Sequence, residues 1–235
     1  MSFILRQTRY LKRFIKTIFG KDHLIFPNCT IEYTLGGSDY GCWPVVLNFF
    51  DRQPIVYSFG IGDDISWDLS VIFHLDAKVF AFDPTSRCHE WIQKQQLPDL
   101  LSYSCIGISN HNGEEEFVLP IKESFISYSK KIDGDLRATE KCKVNTLDFL
   151  MKQNGHKNID ILKMDIEGFE YSVFDDFLDK SIFPAIILVE FHHRFNGFGI
   201  RSTKAAIKKL KLFGYSIFYV SDNGEEFGFV QKNFI

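Results

Sequence analysis

A chain of 235 residues, 45% apolar and 24% charged, has the material for one packed α/β domain and a short extension, which excludes a disordered chain and a second full domain. The net charge of -3 conceals an asymmetry: Arg6, Arg9, Lys12, Arg13, Lys16 and Lys21 all precede the first acidic residue, Asp22, so the remainder carries 21 basic against 30 acidic side chains. An acidic body excludes a broad nucleic-acid footprint, and five dispersed cysteines without a Cys-x-x-Cys pair exclude a thiolate zinc site and point to a reducing, cytoplasmic setting.

Residues 3–19 place Phe3, Leu11, Phe14, Ile15, Ile18 and Phe19 at helical spacing with basic side chains between them. Such a basic amphipathic helix suits an anionic membrane surface, and it equally suits packing on protein. No run approaches the ~20 apolar residues of a membrane span, and the N-terminus lacks the unbroken apolar stretch of a signal peptide. From residue 55 onward short β-rich runs alternate with helical segments, the mark of βαβ units and a mainly parallel sheet. Strands are predicted over 55–59, 79–82, 103–108, 159–164 and 185–191, and helices over 65–75, 90–96, 146–153, 169–178 and 203–213. Residues 109–143, with Asn112-Gly113 and Asp133-Gly134 turns, read as a polar excursion above the sheet edge. Strands over 215–220 and 227–231 flank Asp222-Asn223-Gly224 and close an antiparallel hairpin.

Ligands of open α/β sheets bind outside the carboxyl ends of the strands, so the residues after each strand matter most. After the first comes Phe59-Gly60-Ile61-Gly62-Asp63-Asp64, where two glycines let the backbone turn sharply and approach a ligand, and where Asp63, Asp64 and Ser66 can cap the next helix. A dinucleotide site wants a third glycine where Ile65 stands, and two carboxylates repel a pyrophosphate but suit a cationic nucleoside such as S-adenosylmethionine. Asp83 follows the second strand about 20 residues on, the spacing at which an acid holds a ribose diol; otherwise it caps the next helix. Ile106 and Gly107, at the end of the third strand, are positioned for an adenine ring.

Three segments carry a resemblance: Val56-Tyr57-Ser58-Phe59-Gly60-Ile61-Gly62-Asp63-Asp64-Ile65-Ser66, then Phe82-Asp83-Pro84-Thr85, then Leu162-Lys163-Met164-Asp165-Ile166-Glu167-Gly168. Together, over roughly residues 30 to 230, they resemble the FkbM family of methyltransferases. The resemblance implies a Rossmann-like class I methyltransferase fold, S-adenosylmethionine as donor, and a hydroxyl of a sugar, glycan or glycolipid as acceptor. It divides the chain into a basic extension, 1–30, and a methyltransferase domain, 31–235. Leu35 to Trp43 is similar to the family's upstream Tyr-Gly-Gly-Trp segment, with Cys42 at the second glycine and with Tyr40 and Trp43 as covers for the cofactor. Cofactor contacts are thus expected from Tyr40, Phe59, Gly60, Gly62, Asp83, Ile106, Gly107 and Asp165.

A hydroxyl acceptor needs alignment and a base. Asp165 and Glu167 follow the fourth strand, Glu190 and His192 the fifth, and the family's Asp-x-Glu-Gly motif lies at its active site. Glu167 or His192 is the candidate base, and Asp165 the residue that orients the methionine end of the cofactor. Glu170 reads as a first-turn acid complementing the helix dipole, and His193, on the opposite strand face from Glu190 and His192, as an outward or satisfied histidine. Lys163 alternates with Asp165 and is expected at the same site or paired with Glu190. Asp165, Glu167, Glu190 and His192 also suit magnesium or manganese, although a metal-free site is preferred. The expected partners are a small-molecule or glycan acceptor and, through the N-terminal helix, a membrane surface. Rival readings are a nicotinamide-dependent oxidoreductase or epimerase, a metal-dependent phosphoesterase and a non-catalytic assembly subunit.

Overall fold

In a computed structural model the near-continuous apolar runs form the middle of a seven-stranded sheet; residues 3–38, 41–120, 128–131, 135–195 and 198–234 are described. The chain opens with helix α1 (Phe3–Ile18) and a hairpin of β1 (Tyr33–Gly36) and β2 (Trp43–Val46). There follow β3 (Ile55–Phe59), α2 (Ser66–Leu75), β4 (Lys78–Phe82), α3 (Ser86–Ile92) and β5 (Leu101–Ser104). The smaller strands β6 (Gly107–Ile108), β7 (Gly113–Val118), β8 (Ser129–Lys130) and β9 (Thr139–Asn145) lead to α4 (Leu147–Gln153). The chain then runs through β10 (Ile161–Met164), α5 (Glu170–Asp179), β11 (Ile186–Glu190), α6 (Gly199–Leu212), β12 (Tyr215–Val220) and β13 (Glu226–Gln231).

The central sheet has the order β12-β13-β11-β10-β3-β4-β5. Five neighbouring strands from β11 to β5 are parallel, and β13 lies antiparallel between β11 and β12. This is the expected Rossmann-like α/β architecture of methyltransferases with its terminal antiparallel hairpin. Strand side chains alternate between two cores. Leu162 and Met164 of β10 join α4, α5, α6, Phe117 and Val144 on one face, while Ile161 meets α2, α3 and the Trp43–Val46 strand on the other.

Several boundaries differ from expectation for local reasons. The run at 103–108 breaks because the Ile106 N–H turns back to the Ser104 carbonyl. Gly107 then passes to a second sheet, packed against Pro84 and Val144 where a Cβ would press at 3.1 Å. The helix expected at 90–96 begins at Ser86, because the Thr85 hydroxyl accepts the Cys88 N–H as its N-cap. That expected at 203–213 begins at Gly199. Residues 109–143 are no mere excursion: β7 and β9 pair antiparallel and with β6 and β8 make a four-stranded sheet. The Asp133-Gly134 turn lies outside the described residues.

Helix α1 is held by a polar plug rather than by its apolar stripe. The Arg13 guanidinium donates to the carbonyls of His23 (3.1 Å) and Asp222 (3.2 Å), and Gly224 leaves room for it, since a Cβ there would overlap the guanidinium. Leu11, Phe14, Ile15 and Ile18 face solvent, 46–67% exposed. No helix among the described residues is long and apolar enough to cross a membrane.

Candidate active site

The chain leaves β3 toward β4 and β5 and returns to β10 on the other side of β3, so the topological switch point falls between β3 and β10. Two loops meet there. Gly60 adopts φ +76° and donates its N–H to the Phe82 carbonyl (2.9 Å); a Cβ on it would overlap the Asp165 carbonyl oxygen. The Asp165 N–H in turn donates to the Phe59 carbonyl (3.1 Å). Glycine is therefore required at 60 by both its left-handed backbone and the neighbouring strand end.

Asp83 lies at the end of β4, where it accepts from the Gly62 N–H (3.0 Å) and from the Thr85 N–H (3.0 Å) and hydroxyl (2.6 Å). Asp83 does not itself cap α3, since Thr85 does; its carboxylate ties the glycine loop to that capping residue. Burial pushes its carboxyl above the usual range against these hydrogen bonds. A carboxylate offers about four acceptor positions, and these bonds use three of them. Asp64 accepts from the Ser38 hydroxyl (2.5 Å) and the Ser66 N–H (2.8 Å), fastening the segment before Trp43 over the glycine loop. Burial opposes its charge, but those bonds hold it below the usual carboxylate range. Asp63 is exposed. Phe59 stacks on Phe82 inside the core (ring centroids 4.6 Å), and Ile106 and Gly107 are buried as well. Tyr40 lies outside the described residues.

The second group gathers around His192, just past the end of β11. Its Nε2 lies 3.4 Å from Glu167 Oε2, 3.7 Å from Asp165 Oδ1 and 4.0 Å from Glu190 Oε1, so the four candidate chemical residues do come together. Nδ1 is hydrogen-bonded to Glu170 Oε1 at 2.7 Å. Glu170 is fully buried, and both its oxygens also accept from the Gly168 N–H (3.2 and 3.1 Å). Reading Glu170 as a dipole-complementing acid thus misses its main contact: it stands in the first turn of α5 but faces inward and fixes the His192 ring. Burial opposes a charge on His192, yet Glu170, and then Glu167 and Asp165, outweigh it and raise its pKa well above the usual value. Glu190 is pushed up to about 9 by burial and the nearby Asp165, against the pull of His192. Burial likewise raises Asp165. Glu167 holds φ +53°, a left-handed backbone that costs a non-glycine residue of order 1–3 kcal/mol.

Two other expectations need correction in part. Of the two placements expected for Lys163, pairing with Glu190 is not seen; its buried ammonium lies 5.3 Å from the Trp43 ring and 5.9 Å from the Trp67 ring, and its charge still acts on Asp165. Its positive field offsets part of the burial that pushes Asp68 up to about 6. His193 is buried rather than outward, with Nε2 3.7 Å from Asp22 Oδ1 and its ring 5.3 Å from that of His23.

The methyltransferase FkbM domain profile matches residues 52–217, more than half of the chain. No curated protein matches the sequence. Among solved structures, the fold is similar to methyltransferase FkbM from Methylobacillus flagellatus KT, at 13% identity and a TM-score of 0.46, covering 78% of this chain and 46% of that one. It is also similar to the METTL16 MTase domain, at 10% identity and a TM-score of 0.44, covering 77% and 61% respectively. The chain therefore spans about half to three-fifths of the length of these two structures.

Proposed function

Because the chain belongs to the FkbM family of methyltransferases, we propose that it transfers a methyl group from S-adenosylmethionine to a hydroxyl of a saccharide or glycolipid. The observation that carries this reading is the convergence, at the β3–β10 switch point, of a glycine turn braced by Asp83 with a histidine oriented by a buried glutamate toward three carboxylates. Gly62, Asp83 and the backbone around Ile106 would hold the nucleoside, and Asp165 the methionine end. The acidic walls match the donor's ammonium and sulfonium charges. S-adenosylmethionine supplies a carbon already activated for displacement, so the protein's task is to align a hydroxyl and accept its proton. Glu170 fixes the His192 ring and raises its pKa, and the base role in this proposal falls to Glu167, whose carboxylate faces Nε2 at 3.4 Å. A nicotinamide enzyme would want glycine at 65, where a buried Ile65 immediately precedes α2.

The acceptor side of the proposal is a membrane surface bearing anionic lipid, met through α1. Supporting this, its apolar stripe points away from the protein while Lys12 and Lys16 are exposed beside it. The experiment is incubation of the full chain with methyl-labelled S-adenosylmethionine, free saccharides and glycolipids in anionic vesicles. Mass spectrometry should locate the label on a saccharide oxygen. Label on nitrogen or carbon alone, or no binding of the donor, would overturn the reading.

A further inference from the structure

We infer that Asp165, Glu190 and His192 form a binding site for one divalent cation of the magnesium or manganese class. This goes beyond the methyl-donor reading and stands on geometry alone. One ligand atom from each of the three residues lies within 4.8 Å of the other two. His192 Nε2 is 3.7 and 4.0 Å from the carboxylates of Asp165 and Glu190, beyond the range of about 2.7–3.2 Å of a good N–H···O hydrogen bond. Those separations do suit a shared ion. With bonds of about 2.1 Å, ligand atoms around a metal stand from about 3.0 Å apart at right angles to about 4.2 Å apart across the ion.

Two further observations point to a cation. The His192 side chain is only 6% exposed, and its Nε2 is aimed into the carboxylates while Glu170 holds Nδ1. That is the carboxylate–histidine arrangement which, behind a metal, fixes the ring through Nδ1 and, once the cation has displaced the Nε2 proton, makes Nε2 the ligand atom. Second, among the described residues no lysine or arginine lies within ion-pair distance of Asp165 or Glu190; His192 is the cationic group within that distance, and Lys163 acts on Asp165 only from farther off. The other histidine-rich group, Asp22, His23 and His193, differs on this point. Arg194 binds Asp22 at 3.0 Å and Arg13 binds the His23 carbonyl at 3.1 Å, so positive charge already fills that site. Two carboxylates with one imidazole favour manganese or magnesium over thiophilic metals. A cation there leaves Glu167 free of the ligand set, facing the same space as the base.

The test is a titration of the chelator-treated full chain with Mn2+, following the free-ion EPR signal. One equivalent should bind, Mg2+ should displace it, and electron spin-echo spectra should carry the modulation of a single imidazole nitrogen. Glu190→Gln and Asp165→Asn should each weaken Mn2+ binding at least about 10-fold, and Glu170→Gln, one shell out, by about 10- to 100-fold. Absence of binding, binding without nitrogen modulation, or affinity unchanged in folded Glu190→Gln protein would overturn the site. S-adenosylmethionine binding, measured separately by calorimetry, tests the methyl-donor reading, so the two can fail independently.

Discussion

Replacing Glu170 by glutamine should damage the site more than the fold, for a reason countable in hydrogen bonds. The native carboxylate accepts from two donors, the Gly168 N–H and the His192 ring, entirely out of solvent. A glutamine has one accepting oxygen and an amide that only donates. If His192 stays charged, one buried donor faces another and the charge is left without its partner, at a cost of about 3–5 kcal/mol. The ring escapes most of this by losing its proton and switching tautomer, so that Nδ1 accepts from the amide and Nε2 carries the hydrogen. The residual cost is then that of one weakened buried hydrogen bond, about 1–3 kcal/mol. The ring's one remaining hydrogen then sits on Nε2, where it blocks that atom from binding a cation. Native His192 has a raised pKa, so its stabilisation is complete below the unfolded value of 6.5 and is lost as pH rises through the folded value. The gap between native and variant protein should therefore be widest near pH 6 and shrink toward pH 9. Urea unfolding at both pH values, with long-range 1H–15N spectra reporting the histidine tautomer, reads both effects. A gap independent of pH together with an unchanged tautomer would refute the reasoning.

Gly60→Ala combines a left-handed backbone with an overlap on the Asp165 carbonyl, so it should destabilise by at least about 2–3 kcal/mol; an unaltered thermal midpoint would contradict the packing of the two loops. Asp83→Ala should weaken S-adenosylmethionine binding in calorimetry by 10-fold or more, from about 1.4 kcal/mol per lost ribose contact, and it should also lower stability because Gly62 and Thr85 lose their acceptor. Phe14→Ser with Ile18→Ser removes exposed apolar surface, so stability should hold within about 0.5 kcal/mol while sedimentation with anionic vesicles falls; sedimentation equal to the native chain's would remove α1 from the membrane account. In metal-free protein Glu190 binds its proton more tightly folded than unfolded, so it subtracts up to about 1.4 kcal/mol per pH unit as pH rises from 4.5 to about 9. Glu190→Gln should flatten that decline, and a slope identical to the native one would show that the carboxylate is not so raised.

What could be read from the sequence was whatever repeats locally. The strand at 55–59, the closing hairpin and the glycine loop declare themselves through apolar runs and turn residues, and placing acids after strand ends follows from the sheet rule alone. That Asp165, Glu167, Glu190 and His192 meet is decided by β10 and β11 lying side by side, whereas the alternation of strands and helices gave only a mainly parallel sheet. What stayed hidden depends on partners distant in the chain. Glu170 looks like any acid at a helix start until β11 brings His192 to 2.7 Å. Lys163 alternates with Asp165, yet its ammonium is drawn under Trp43, which belongs to a hairpin with only four residues per strand. The second sheet was missed because β6 and β8 have two residues each and no period to detect.

The crevice between β3 and β10 is the proposed cofactor site. A crystal structure of the full chain with S-adenosylhomocysteine tests it most directly. The ribose should lie against Asp83 and Gly62, with the sulfur facing the space between Asp165 and His192. An unfilled crevice, or a ribose bound away from Asp83, would contradict it.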